Sequence, residues 1–256
     1  MRRILSLSLF ILAGTTFSQH PIAHAHNDYE NERPLFQALE SDFRSIEIDV
    51  FEHNGQLKVS HLGHNLRNRP SLTELYFDPL DSYLKRNPSL QLWLLIDLKQ
   101  EDRSLLDLLH AEVQKKSHLF KSKGAAEIRP IQIILSGSVD RELIATSDAY
   151  QYFYLDGRIQ HLENQNWDSE LMPLISANLT KVVSWNGKGK LSTQDADRIK
   201  ELVSNANSQG KRLRFWRTRD NEYVWKQLME LGVDVIGTDE IAQLSSFLKS
   251  IQSEPK

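Results

Sequence analysis

Side chains able to ligate a cation or move a proton fall at short, regular spacings in this chain. His24 and His26 stand two apart and run straight into Asn27 and Asp28. Glu47 and Asp49 stand two apart, Asp97 and Lys99 repeat that spacing, and His61 closes the segment KVSH. Residues two apart on a strand face the same way. Glu47 and Asp49 would therefore share one face, with Ile46, Ile48 and Val50 on the other. Two neighbouring carboxylates repel, and each resists leaving water. A divalent cation relieves both costs, and Asp97 from an adjacent strand would give it a third ligand. Oxygen ligands suit Mg²⁺ or Ca²⁺, whereas histidine ligands would draw Zn²⁺ or Mn²⁺. The plainer alternative is a salt bridge from Glu47 or Asp49 to Lys99 or an arginine. Histidine titrates near neutral pH, so a pair can divide the labour, one taking a proton from the attacking oxygen and the other protonating the leaving group. His64 competes with His61 for such a role. His53, His110, His118 and His161 fall in polar or helical settings and read as surface or packing residues.

These groups need a scaffold that brings several strand ends to one place. Mostly apolar, β-prone runs occur at 22–26, 45–50, 92–99, 131–137, 152–155, 174–177, 213–218 and 233–238, with 181–185 as a rival for the sixth. Continuous apolar runs suit strands covered on both faces, as in parallel sheets. Helical patterns lie between many of them. Pro34 stands where a first turn would begin, Ser71 and Glu74 have the spacing of a capping box, and Asn221 would cap a helix that Gly232 ends. Strand then helix, about eight times, is the arithmetic of a single α/β (β/α)₈ TIM barrel, with an open doubly wound sheet as the alternative. In a barrel the chemistry belongs at the C-terminal ends of the strands, where these residues fall. Trp216 near the end of the seventh would line a pocket or cap the core. Asp239, after the eighth, reads as a cap for the last helix, and Asn27 as a phosphate contact or a loop cap.

The chain has 256 residues, no cysteine and a formal net charge of −3. Arg2 and Arg3, a short apolar run over 4–13, then small and polar residues to Gln19 have the layout of a cleaved secretory signal. That predicts a leader over 1–19, one domain over 20–256, and a secreted or periplasmic product. The run is too short to span a bilayer, and no later stretch is long and apolar enough. Nothing in the charge suggests a nucleic-acid partner.

The ordered set His26, Glu47-x-Asp49, His61, Asp97-x-Lys99 resembles the glycerophosphodiester and PLC-like phosphodiesterase superfamily. FWRTRD at 215–220 and VIGTDE at 235–240 resemble its last two strand elements. HNDYENERPLFQAL, SIEIDVF, LKVSH, FYLDGR and RFWRT are similar to a branch named for altered inheritance of mitochondria protein 6. The resemblance runs from His24 to about Leu248 and implies the barrel rather than the open sheet. It also implies a phosphoric diester hydrolase acting on a glycerophosphodiester or phospholipid headgroup. His26 and His61 then match the catalytic histidines, Glu47, Asp49 and Asp97 the ligands of one divalent cation, Mg²⁺ or Ca²⁺, and Lys99 a phosphate-side lysine. His24 is left as a supporting residue, with Asn27 and Trp216 as substrate contacts and Arg158, Arg217 and Ser136 as weaker ones. Superfamily precedent implies attack by a substrate hydroxyl and a cyclic phosphate product; attack by water is the other route. The His-Arg-Gly opening of typical glycerophosphodiester enzymes is replaced by His26-Asn27-Asp28. A barrel that binds a phospholipid headgroup or sugar phosphate without turnover is the alternative, and a metal-dependent hydrolase of sugars or amides a third reading.

Overall fold

The computed structural model describes residues 21–125, 129–164 and 167–252. The expected leader over 1–19 lies outside the described residues. Strands and helices alternate in the order β1 (Ile22–Ala25), α1 (Phe36–Glu40), β2 (Ser45–His53), β3 (Gln56–Val59), α2 (Asp78–Leu84), β4 (Leu92–Leu98), α3 (Arg103–Lys115) and β5 (Ile131–Gly137). They continue as α4 (Arg141–Thr146), β6 (Phe153–Gly157), α5 (Ile159–Asn164), β7 (Leu174–Asn178), α6 (Leu179–Val182), α7 (Thr193–Ser208), β8 (Arg212–Trp216), α8 (Glu222–Glu230), β9 (Val235–Thr238) and α9 (Ile241–Gln252).

Eight of the strands are parallel neighbours in the order β1, β9, β8, β7, β6, β5, β4, β2, and the β1–β2 pairing closes the ring. The closed (β/α)₈ barrel is the predicted fold. β3 stands apart from it as an antiparallel partner of β2, with Val50 opposite Val59 and His53 opposite Gln56. The rival strand at 181–185 is not one. The sixth barrel strand is β7, and Lys181 falls in the short helix α6.

Two apolar layers hold this shape. Outward-facing strand residues such as Ile46, Ile48, Leu94, Ile96 and Ile133 pack against the helices in the main core. A smaller cluster of Leu95, Ile134, Tyr154, Leu174 and Val235 forms the second layer, with Ile22 and Trp93 against it. These residues share a strand face with the site residues two positions on, so they fill the barrel beneath them. Local signals behave as chemistry requires. Ser71 and Glu74 bond reciprocally, Ser71 N to Glu74 Oε2 at 2.9 Å and Glu74 N to Ser71 Oγ at 3.2 Å. Asn221 Oδ1 accepts from Val224 N at 3.0 Å. Pro34 differs from expectation. Phe36 N donates to Pro34 O at 2.7 Å around Leu35, whose φ is 65° and ψ −57°, so a strained γ-turn precedes the helix. Buried Asp28 holds that turn, its Oδ2 accepting from Leu35 N at 2.6 Å and Tyr76 Oη at 2.8 Å.

Candidate active site

The polar residues follow from the apolar floor by the two-residue repeat of a strand. Leu95 leads to Asp97, Ile134 to Ser136, Tyr154 to Asp156 and Leu174 to Ser176, while Ser45 leads to Glu47 and Asp49. Their side chains converge at the C-terminal ends of the strands. A cavity of about 250 Å³ there is lined by His26, Asn27, Glu47, Asp49, His61, Asp97, Lys99 and Trp216. Of the residues singled out for the site, these meet there together with Arg158 and Ser136, whereas His24 lies beneath and Arg217 and the rival His64 are not among the lining residues. A larger groove of about 460 Å³ touches this region only near Leu98 and Gly137. Its Asp102 and Asp140 are occupied as N-caps of α3 and α4.

Glu47, Asp49 and Asp97 each offer an oxygen within 4.8 Å of the other two. Asp49 and Asp97 are in register on β2 and β4. Each keeps one buried oxygen, Oδ1, with no hydrogen-bond partner. Gly137 makes room for this arrangement, because a Cβ there would stand 1.9 Å from Asp97 Oδ1. Burial, with the Asp49 and Glu47 charges, raises the Asp97 pKa against the pull of Lys99. Hard, converging, under-partnered oxygens fit an Mg²⁺- or Ca²⁺-type cation. The expected lysine contacts also occur: Lys99 Nζ lies 3.0 Å from Asp49 Oδ2 and 2.6 Å from Asp97 Oδ2.

Glu47 is held from below. His24 is fully buried, with Nδ1 2.7 Å from Ser45 Oγ and Nε2 2.9 Å from Glu47 Oε2. Burial drives the His24 pKa down to about 4, helped by Arg214, so the ring is neutral and acts as a hydrogen-bonding support. Arg214 Nη2 donates to the same Glu47 oxygen at 2.5 Å. Burial alone would raise the Glu47 pKa, but Arg214 and His24 hold it well below the usual carboxylate range.

The histidines each face a carboxylate. His26 Nδ1 lies 2.7 Å from Asp239 Oδ1, which fixes that edge of the ring and leaves Nε2 free. Burial opposes protonation of His26, but the Asp239 bond and the Glu47 charge outweigh it and raise its pKa. The expected helix-cap role for Asp239 gives way to this contact, and Thr238 Oγ1 accepts from Glu240 N instead. His61 Nδ1 lies 3.2 Å from Asp49 Oδ2, just past the end of β3. Asn27 adopts a left-handed conformation, φ 46°, and its Oδ1 accepts from Tyr29 Oη at 3.0 Å.

Arg214, Asp156 and Ser176 also line the cavity and were not foreseen from sequence. Arg158 and Ser136, foreseen as weak contacts, surround Asp156: Arg158 Nη1 donates to its Oδ2 at 2.6 Å and Ser136 Oγ at 2.9 Å. His161 sits outside the cavity and accepts the Arg158 N–H at Nδ1, 2.8 Å away. Arg217 lines a neighbouring cleft behind His26.

The closed barrel with its polar layer at the strand ends is a (β/α)₈ barrel with a candidate site at its mouth, and it is similar to AIM6-like phosphodiesterases. A model described as the AIM6-like phosphodiesterase domain matches residues 16–92. The chain is similar to altered inheritance of mitochondria protein 6 from Eremothecium gossypii, 28% identical over 88% of this chain and 68% of that one. The homologue from Arthroderma benhamiae is 25% identical over 85% and 81%. The fold is similar to a crystal structure of a glycerophosphodiester phosphodiesterase from Parabacteroides distasonis. That match has a TM-score of 0.57 and 17% identity, and covers 91% of this chain and 98% of that one.

Proposed function

We propose that the chain is a metal-dependent phosphoric diester hydrolase acting on a glycerophosphodiester or phospholipid headgroup. The observation that carries this reading is two histidines facing carboxylates, His26 facing Asp239 and His61 facing Asp49, beside the converging Glu47, Asp49 and Asp97, of which Asp49 and Asp97 each keep a buried oxygen without a partner. Binding alone has no need of two proton-transfer groups. Glu47, Asp49 and Asp97 would hold one divalent cation, Mg²⁺ or Ca²⁺, which supplies positive charge against a phosphoryl oxygen. Lys99 adds a second positive point beside it. His26, oriented by Asp239, and His61, oriented by Asp49, divide the roles of general base and general acid. The attacking oxygen is a hydroxyl of the substrate, giving a cyclic phosphate, or a water.

The test is ³¹P NMR of the protein with Mg²⁺ or Ca²⁺ and a panel of glycerophosphodiesters and phospholipids. A phosphomonoester or cyclic phosphate peak is expected, with the rate falling about 10²–10⁴-fold in His26→Ala and in His61→Ala. Normal rates in both variants would sink the assignment. Absence of turnover with metal bound would favour a headgroup-binding barrel. The leader read at 1–19 adds the proposal that the protein works outside the cytoplasm; N-terminal sequencing of exported protein should begin near residue 20.

A further inference from the structure

A second cavity, of about 510 Å³, lies at the opposite end of the barrel from the candidate active site. Ile22, Leu92 and Arg212, which line it, are the first residues of β1, β4 and β8, and Arg44 and Pro130 stand just before β2 and β5. Ile22 and Trp93 also pack against the small apolar cluster that contains Tyr154, so one layer separates the two cavities. The lining is one-sided in charge. Arg44, Lys121, Arg129 and Arg212 contribute to it, and no carboxylate among the described residues does. Three of these cations are engaged. Arg212 Nη1 lies 3.4 Å from Asp234 Oδ1, Arg129 Nη1 donates to His118 O at 3.2 Å, and Arg44 pairs with exposed Asp42. An exposed pair of that last kind is weak and can give way to a ligand. Lys121 differs from the other three. Its backbone N–H donates to Ile131 O at 2.7 Å, which ties it to the start of β5, while its ammonium has no carboxylate partner among the described residues. The Nζ lies over the Tyr154 ring, 5.4 Å from the centroid. Tyr154 is fully buried, and its Oη has no hydrogen-bond partner. Burial, helped by the Glu170 charge, raises the phenol to about 12, so it keeps its proton as a donor. Trp93 Nε1 donates to Gln132 Oε1 at 3.1 Å, which orients that amide and leaves its nitrogen as a further donor. Donors gathered without acceptors are costly, and an acceptor brought by a ligand relieves that cost.

We propose that this basal cavity is a second binding site, for a small phosphate-bearing anion whose apolar part lies against Trp93. Lys121 supplies the charge that is not already matched, and Gln132 and Arg44 supply N–H donors beside it. A phosphate offers several oxygens and up to two negative charges, which suits donors approaching from separate strands, and a guanidinium fork matches its geometry. The volume is that of a small-molecule pocket, and Ile22, Leu92, Trp93 and Pro130 give it an apolar side. The site stands on residues remote from the proposed hydrolytic machinery and does not depend on that reading.

The test is saturation-transfer NMR of the full chain with phenyl phosphate, in EDTA so that no divalent cation holds the ligand at the opposite mouth. A Kd of about 1 mM or tighter is expected. Lys121→Gln should weaken it about tenfold, whereas Lys99→Gln, at the other end of the barrel, should leave it unchanged. Gln132→Glu sets a carboxylate in the lining without touching Lys121 and should weaken binding as well. It decides the matter if circular dichroism shows Lys121→Gln to be unfolded. Benzoate, the same ring carrying a carboxylate, should bind more weakly than phenyl phosphate. No signal from phenyl phosphate, unchanged affinity in a folded cavity variant, loss in Lys99→Gln instead, or equal binding of benzoate would each overturn the site. Binding that is lost in Lys121→Gln in a protein that turns over no diester keeps this site and sinks only the hydrolase reading.

Discussion

Glu47 shows how much of a site can depend on residues that never touch substrate. Its Oε2 receives the Arg214 guanidinium and the His24 ring, both buried. Removing one partner of a buried pair leaves a charge that the interior cannot solvate, at a cost of roughly 3–5 kcal/mol. Arg214→Met should therefore lower the unfolding free energy by an amount in that range, read as a lower urea midpoint at unchanged slope, and Glu47→Gln combined with it should recover part of the loss. Equal midpoints for parent and Arg214→Met would show that the pair is not holding the carboxylate. His24→Asn should weaken cation binding while leaving both proposed proton-transfer histidines in place, which calorimetric titration with Mg²⁺ or Ca²⁺ would read.

At the scale of elements, the turn from β6 into α5 depends on the protonation state of His161. Its Nδ1 accepts the Arg158 N–H, so protonating that nitrogen breaks the bond. Burial, then the nearby Arg141 and Arg158 charges, lower its pKa below 6.5. The unfolded chain thus takes up this proton before the folded one does. The stability from neutral His161 is fully present above about pH 6.5 and is lost as the pH falls through the depressed folded value. His161→Gln, whose amide oxygen can still accept from Arg158 N, should show a smaller drop in urea midpoint between pH 7.5 and 5.5 than the parent. A parallel drop in both proteins would remove His161 as the cause.

The same elements explain what was legible beforehand. Glu47, Asp49, Asp97 and Lys99 stand out because charge interrupts an apolar strand at a spacing of two. Asp156 was missed because the run read at 152–155 stops one residue short, whereas β6 reaches Gly157. Counting two on from the floor residue Tyr154 would have found it, as two on from Leu174 gives Ser176. Arg214 sits among other basic residues in KRLRFWR, and only the closed ring brings it to Glu47. Asp239 read as a cap because acidic residues ahead of helices usually are. Its contact with His26 spans the barrel seam and has no local signature.

For the whole molecule, a cation that binds only the folded chain should stabilise it by mass action. At a free concentration 100 times its Kd the gain is about 2.7 kcal/mol, or a Tm rise of about 5–10 °C for a chain of this size. Asp49→Ala should abolish the rise. A Tm indifferent to Mg²⁺ and Ca²⁺ across millimolar concentrations would count against the three-carboxylate site. The described residues contain no helix long and apolar enough to cross a membrane. Leu62 and Trp216 are among the exposed large apolar side chains.

One of the two histidines proposed to transfer protons is not carried by the ring at all. His61 follows β3, the lone antiparallel strand among the described residues, and reaches back to Asp49 from outside the eight-stranded closure. The barrel, its floor and its carboxylates do not depend on that ribbon for their pairing. Chemistry and scaffold can thus be inherited separately. On the proposed roles, a shortened hairpin would remove His61 in a single event and leave the carboxylate layer intact, while a lengthened one would re-aim the histidine. Variation among such barrels is therefore expected to gather in this one excursion, where trying out a new activity does not put folding at risk.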